Sequence, residues 1–305
     1  MLRIGTRRSP LAMWQASYVR DALLTDHPNI EIELVGISTQ GDKTLDVPLS
    51  SKGGKGLFLK ELQQALLDGQ IDLAVHSMKD VTVTLPAGLH IVAICEREDP
   101  RDALVSARYA DLSAFPAGAI VGTCSLRRQC LLRFRYPDLS VMDLRGNVNT
   151  RLRRLDDGEF DGIILAAAGL KRLDMEDRIR QVIPTDLMLP AVGQGALGIE
   201  CREEDDHTNR LLMPLDHKLT RMRVTAERAV NERLDGGCHV PLAAYAEVIG
   251  DGLRIRGVVG RPDGTNVLTG EAQGTLHQAE ELGQQLADDL LERGAGQVLK
   301  DLYGN

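Results

Sequence analysis

The sequence predicts an α/β protein with two related domains, each built on a mainly parallel sheet, followed by a small α+β domain. Strand–turn–helix units recur through the first two thirds of the chain. A pattern of helix, Asp-Gly, acidic residue and buried strand occurs twice. The last third changes to short strands separated by Gly-Asp-Gly and Pro-Asp-Gly turns. The length of 305 residues fits, since one domain takes about 100–200.

The first element is the short strand "LRIGT". Ser9 can cap the helix that follows, Pro10 suits its first position, and Leu11, Trp14, Tyr18 and Ala22 recur at helical spacing. "IEIELVGIST" reads as a second strand. "GLFLKELQQALLDG" reads as a helix with Phe58, Leu62, Ala65 and Leu66 on one face and Gly69 as its stop. "IDLAVHSMKD" is a buried strand running into a polar loop. The grammar then repeats: "AIVGTCSLRRQCLL" parallels "LRIGTRRSPLAMW", and "TRLRRLDDGEFDGIILAAAG" parallels "KELQQALLDGQIDLAVHS". Asp68-Gly69 and Asp72 thereby correspond to Asp157-Gly158 and Asp161. From about residue 216, "LTRMRVTAERAVNERL" is a helix. "AAYAEVIG", "LRIRGVVG" and "TNVLTGEAQG" form an antiparallel meander, and "TLHQAEELGQQLADDLLERG" closes as an amphipathic helix ending at Gly294.

Composition excludes several classes. A net charge of −8 and 3% aromatics argue against a general nucleic-acid binder, including an RNA-binding use of the arginines. No apolar run approaches the ~20 residues of a membrane span, and "MLRIGTRRSPLA" shows no secretory signal. Cys95, Cys124, Cys130, Cys201 and Cys238 are odd in number and scattered, without a C-x-x-C pair. Neither a disulfide framework nor a structural metal site is expected, and the protein is expected to be reduced and cytoplasmic.

The middle of the chain is locally basic, with Arg127, Arg128, Arg133, Arg135, Arg145, Arg151, Arg153 and Arg154 in one span. Arg7, Arg8, Lys52, Lys55 and Lys60 add to the first domain. A solvated face is the plain explanation for any one of them. Arg7 and Arg8, like Thr123, Ser125, Arg127 and Arg128, lie between a strand end and a helix start, where open α/β sheets gather ligands and helix amides receive anions. The pattern predicts a polyanionic small ligand in a cleft between two domains. "KGGKG" lacks the spacing of an ATP loop and "GQGALG" that of a dinucleotide fingerprint. At the end of the buried strand, His76 reads as a satisfied core histidine, and Lys79 with Asp80 could be a surface pair. Asp80 among cations, where the cleft should be, also suits chemistry that builds positive charge on a substrate. In "RLDGGCHVP", Cys238 could be a nucleophile with His239 or an inert thiol; Gly236 and Gly237 leave room for close backbone approach.

Taken together, "VHSMKDV", "GGKGLFLKEL", "VGTCSLRRQ", "LRGNVNTRL", "LPAVGQGALGIE" and "GGCHVP" closely resemble the porphobilinogen deaminase (hydroxymethylbilane synthase) family, nearly end to end. The resemblance implies two domains like the lobes of type II periplasmic binding proteins and a small third one. Residues 1–97 with 196–215 would form domain 1, 98–195 domain 2 and 216–305 domain 3. It implies a dipyrromethane cofactor attached by a thioether to Cys238. The reaction implied joins four porphobilinogen molecules with loss of ammonia, each deaminated to an electrophilic azafulvene, into the linear tetrapyrrole hydroxymethylbilane. Asp80 matches the catalytic aspartate. Lys79, Asp80, Thr123, Ser125, Arg127, Arg128, Arg145 and Arg151 match cofactor-binding positions, the four arginines holding cofactor or substrate carboxylates. Arg7, Ser9, Gln15, Arg172 and Gln194 match positions expected to contact substrate, and Lys55 and Phe58 match positions on or beside an active-site loop that is mobile in relatives. No metal is implied, the only partner is porphobilinogen, and relatives are mostly monomers. Thr82, Cys124 and His239 depart from common proline, serine and glutamine without removing a functional group. The same two-lobed fold also suits a non-catalytic anion-binding protein, which would carry no attached cofactor.

Overall fold

A computed structural model describes residues 1–39, 59–236 and 240–303. The chain divides into two compact units, Met1–Glu98 with Ala196–Arg221, and Asp99–Gly195 with Met222–Asn305.

In chain order the first unit begins with β1 (Leu2–Arg7), α1 (Pro10–Asp26), β2 (Ile32–Ile37), α2 (Lys60–Leu67), β3 (Leu73–Ser77) and β4 (Leu89–Ile94). The second unit follows with β5 (Asp102–Val105), β6 (Ile120–Gly122), α3 (Leu126–Arg135), β7 (Ser140–Met142), α4 (Val148–Asp156), β8 (Gly162–Ala166), α5 (Ala167–Lys171) and β9 (Ile179–Val182). The chain then supplies β10 (Leu197–Arg202) and α6 (Asp206–Leu212) to the first unit and continues through α7 (Lys218–Arg233). It ends with β11 (Leu242–Ile249), β12 (Gly252–Val259), β13 (Leu268–Thr275), α8 (Ala279–Glu292) and α9 (Ala295–Tyr303).

The first unit has the sheet order β2-β1-β3-β10-β4 and the second β7-β6-β8-β5-β9, one topology used twice. In each, the first three strands are parallel. The strand that follows each passage between units, β10 or β5, runs antiparallel to both neighbours. The sheets are therefore mixed rather than mainly parallel. Parallel neighbours need a crossover, usually a helix, whereas β5 and β10 arrive without one.

The sequence repeat has a physical basis. Asp72 Oδ2 accepts the backbone N–H of Arg3 in β1 at 2.8 Å, and Asp161 Oδ2 accepts that of Ile120 in β6 at 2.8 Å. Each acid ties the start of the first strand to the turn before the buried third strand. Gly69 and Gly158, which close α2 and α4, have φ of 67° and 79°, a left-handed turn that favours glycine. Ser9 caps α1 and Pro10 opens it, as its sequence signals.

The meander β11-β12-β13 is antiparallel throughout. Its Ala243, Tyr245 and Val258 pack with Leu104 and Val121 of the second α/β sheet and with Leu131 and Leu132 of α3 in one apolar cluster, which is why the small domain falls within the second unit. Its opposite face packs on α7 and α8. The periodicity before Gly294 captured α8 but not α9, which begins directly after that left-handed glycine (φ 100°).

Two expected outcomes follow from this packing. A Cβ at Gly283 of α8 would stand 2.2 Å from the Ala226 carbonyl oxygen and 2.7 Å from Ala229 Cβ of α7. Gly283→Ala should therefore cost about 1–3 kcal/mol in urea unfolding, because backbone cannot yield as a side-chain tip does. Cys130 and Cys201 are buried, which pushes both thiols up to about 12. Iodoacetamide at mildly alkaline pH should leave both unmodified in the native protein and alkylate both after denaturation, as read by peptide mass mapping.

Candidate functional site

In the first unit the candidate residues collect at the C-terminal ends of β1 and β3. β3 runs through Ser77 into a single 3-10 turn, Met78–Asp80. The turn is fixed at its start by Met78 N–H donating to the Ala196 carbonyl at 3.0 Å and closed by Val81 N–H donating to that of Met78 at 3.2 Å. Gly198 of β10 lets Met78 in; a Cβ there would lie 2.2 Å from Met78 Sδ. Asp80 is half-buried, and among the described residues nothing hydrogen-bonds to its carboxylate. Lys79 and Arg7 are also half-buried and engaged in interactions of their own.

Gln15 is buried on α1 and donates through Nε2 to Ser77 Oγ at 2.8 Å, bracing the strand end from which Asp80 projects. Ser9 Oγ accepts the Ala12 N–H at 3.4 Å. A hydroxyl that accepts from a helix amide still has its own O–H to donate to an anion. On the other face of the sheet, His76 Nε2 lies 2.9 Å from Glu200 Oε2, and Gln63 Nε2 donates to Glu200 Oε1 at 3.0 Å. The core reading of His76 holds, with Glu200 of β10 as the partner that the sequence did not reveal.

The second unit repeats the device at the C-terminal end of β6. Ser125 caps α3 by accepting the Arg128 N–H at 3.5 Å, and Thr123 Oγ1 accepts the Ser125 N–H at 3.2 Å. Arg127 and Arg128 turn inward, only 4% and 5% exposed, onto the fully buried Asp102 of β5. Arg127 Nη1 and Arg128 Nη2 donate to Asp102 oxygens at 2.6 and 2.7 Å. Burial alone would raise the Asp102 pKa. The charges of Arg127 and Arg128, with hydrogen bonds from Arg127 and Gln194, overcome it and hold the carboxyl well below the usual carboxylate range. Burial pulls Arg127 down from its ordinary value despite its contact with Asp102.

Gln194 is 1% exposed, and its amide donates to Asp102 Oδ1 at 2.9 Å and to the Pro100 carbonyl at 2.6 Å. Arg172 is buried and donates through Nη2 to the Gly195 carbonyl at 2.7 Å. Glu227 of α7, also buried, accepts the Gly193 N–H at 2.7 Å and the Ala246 N–H at 2.9 Å. Gln194 and Arg172 thus hold the loop before β10 together with Glu227, which the sequence did not single out. Arg145 and Arg151 flank the N-terminus of α4, which Asn147 caps; both are half-buried, and Arg151 Nε donates to the Gly146 carbonyl at 2.7 Å.

Cys238, His239 and Gly237 lie outside the described residues, as do Lys52, Lys55 and Phe58. The residues on either side of the cysteine are anchored. Gly236 N–H donates to the Asn231 carbonyl at 2.8 Å as α7 ends, and Val240 is buried before β11. A Cβ at Gly236 would lie 2.3 Å from Asn231 Oδ1, so a side chain there would have to displace Asn231.

The residues of the second unit fit a ligand bearing carboxylates. Two buried guanidiniums share one carboxylate, and the buried Arg127 Nε has no hydrogen-bond partner. Among the described residues no helix is long and apolar enough to cross a membrane.

Comparison with solved structures finds backbone similarity to proteins of low sequence identity. They include an ABC transporter periplasmic substrate-binding protein from Coxiella burnetii (14% identity, 70% of this chain and 91% of that one, TM-score 0.44) and immunogenic lipoprotein A from Vibrio vulnificus (15%, 70% and 94%, 0.45). A nutrient binding protein from Burkholderia cenocepacia bound to methionine is a third (13%, 70% and 90%, 0.43). Two sequence-family models match the chain: "Porphobilinogen deaminase, dipyromethane cofactor binding domain" over residues 2–210 and "Porphobilinogen deaminase, C-terminal domain" over residues 221–292. With the dipyrromethane-binding domain and the C-terminal domain both present in order, the chain belongs to the porphobilinogen deaminase family.

Proposed function

We propose that the protein is a transferase that joins four porphobilinogen molecules, with release of ammonia, into the linear tetrapyrrole hydroxymethylbilane. The dipyrromethane would be held as a thioether on Cys238. The observation that carries the reading is the carboxylate of Asp80, set on a hydrogen-bonded 3-10 turn at a strand end of the cofactor-binding domain with no competing partner among the described residues. When bound, the dipyrromethane supplies a primer pyrrole whose free α-carbon is the nucleophile.

Asp80 accepts pyrrole N–H groups, offsets the positive charge that develops on porphobilinogen as its ammonia leaves, and assists proton removal once the new bond has formed. Lys79, adjacent on the same turn, supports an anionic side arm. Ser9, Thr123 and Ser125 combine backbone capping with hydrogen bonds to ligand oxygens. Arg127, Arg128, Arg145 and Arg151 hold acetate and propionate arms of the cofactor or of the incoming substrate. Arg7, Gln15, Lys55, Phe58, Arg172 and Gln194 serve the incoming substrate, with Gln15, Arg172 and Gln194 acting through the groups they brace. A charged hydrogen bond contributes about 1.5–3 kcal/mol, so several modest contacts suffice.

Intact mass spectrometry tests this reading. The purified protein should exceed its polypeptide mass by one dipyrromethane, and limiting porphobilinogen should add heavier species in steps of one deaminated substrate. Active protein at the bare polypeptide mass would overturn the proposal, and a folded but inactive bare protein would indicate a non-catalytic anion binder. Cys238→Ser should lose the mass excess. Asp80→Ala should lower turnover about 10²- to 10⁴-fold, with the cofactor retained or poorly assembled; near-normal turnover would remove Asp80 from its role.

A further inference from the structure

Asp102 opens a strand whose other residues, Ala103, Leu104 and Val105, are all buried. An acid in that setting is costly unless fully paired. Besides Arg127 Nη1 and Arg128 Nη2, Asp102 Oδ1 accepts from Arg127 Nη2 at 3.1 Å, Arg128 Nε at 3.0 Å and Gln194 Nε2 at 2.9 Å. The guanidiniums are held from the other side too, Arg127 Nη1 by the Leu189 carbonyl at 2.7 Å and Arg128 Nη1 by the Ile164 carbonyl at 2.8 Å. Two like charges side by side repel, and the shared carboxylate is what lets them stand together in a water-poor place.

The charges do not cancel. Among the described residues the ion pairs of Arg127 and Arg128 are both with Asp102, so one formal positive charge remains. The buried Arg127 Nε is also left without an acceptor. The cluster is one anion short.

We infer that Asp102, braced by Gln194, is a positioning residue that orients Arg127 and Arg128 so that the pair receives a single further carboxylate, one acid arm of the pyrrole ligand. The inference rests on the tetrapyrrole-forming reading above. It gives Asp102 a task that the anion-binding arginines cannot perform for themselves. Without its charge their mutual repulsion would splay them, and with the charge misplaced they would point elsewhere.

The experiment compares wild-type holoprotein with Asp102→Asn, which keeps the shape and removes the charge, and Asp102→Glu, which keeps the charge and shifts it by one methylene. Circular dichroism and thermal melting establish folding, intact mass gives the fraction carrying dipyrromethane, and steady-state kinetics separate KM from kcat. Folded D102N should show a reduced cofactor-loaded fraction and, in its loaded fraction, a KM for porphobilinogen raised about 10- to 100-fold with a smaller change in kcat. D102E should show the same direction of change although its charge is intact. A folded D102N with wild-type loading and KM overturns the inference, even if its melting temperature falls. Should D102N fail to fold, D102E decides: wild-type loading and KM there reduce Asp102 to charge compensation and equally overturn the positioning role. A wild-type protein that carries no dipyrromethane mass would sink the functional reading first, and separately.

Discussion

One fully buried carboxylate facing two guanidiniums is the interaction on which the proposed anion site of the second unit depends. Burying three charged groups is not a route to stability in itself, because the desolvation of each is repaid only by excellent geometry and further hydrogen bonds. Here the geometry is supplied by the Leu189 and Ile164 carbonyls and by Gln194. The arrangement makes sense as preorganisation: the cost of bringing two arginines together is met during folding, before any ligand arrives.

The rest of the architecture supports this interaction from several directions. The loop Gly193–Gly195 sends Gln194 to Asp102, and it is itself held by Arg172 and by Glu227 of α7. The same helix ends at Arg233, shortly before the segment that contains Cys238. The helix leading to that cysteine and the loop bracing the arginines therefore share a buried carboxylate. In the first unit Gln15, Gly198 and the Ala196 carbonyl similarly fix the turn that bears Asp80, while the His76–Glu200–Gln63 network fills the opposite face of the sheet.

Much of the fold was legible along the chain because it rests on local rules. Ser9-Pro10 marked a helix start, Gly69 and Gly158 marked helix ends, and the paired Asp72 and Asp161 exposed a duplication that proved to be a shared sheet order. Strands β4 and β9 and the short helices α5 and α6 carry weaker patterns, because none is longer than 7 residues. The antiparallel sense of β5 and β10 was not legible at all, since strand direction depends on which non-adjacent segment becomes the neighbour.

The candidate site divides along the same line. The sequence by itself determined which groups are present and where they stand relative to strand ends and helix starts: Asp80 after a buried strand, Ser9 and Ser125 at helix caps, arginines beside a Gly-Thr turn. Only the tertiary structure decided that Arg127 and Arg128 turn inward onto Asp102 rather than out to solvent, and that Gln194 braces them. It likewise chose Glu200 as the partner of His76. The reason is that a local pattern fixes the backbone direction of one element, whereas the partner of a buried charge is chosen by packing among residues from 25 to 124 positions apart.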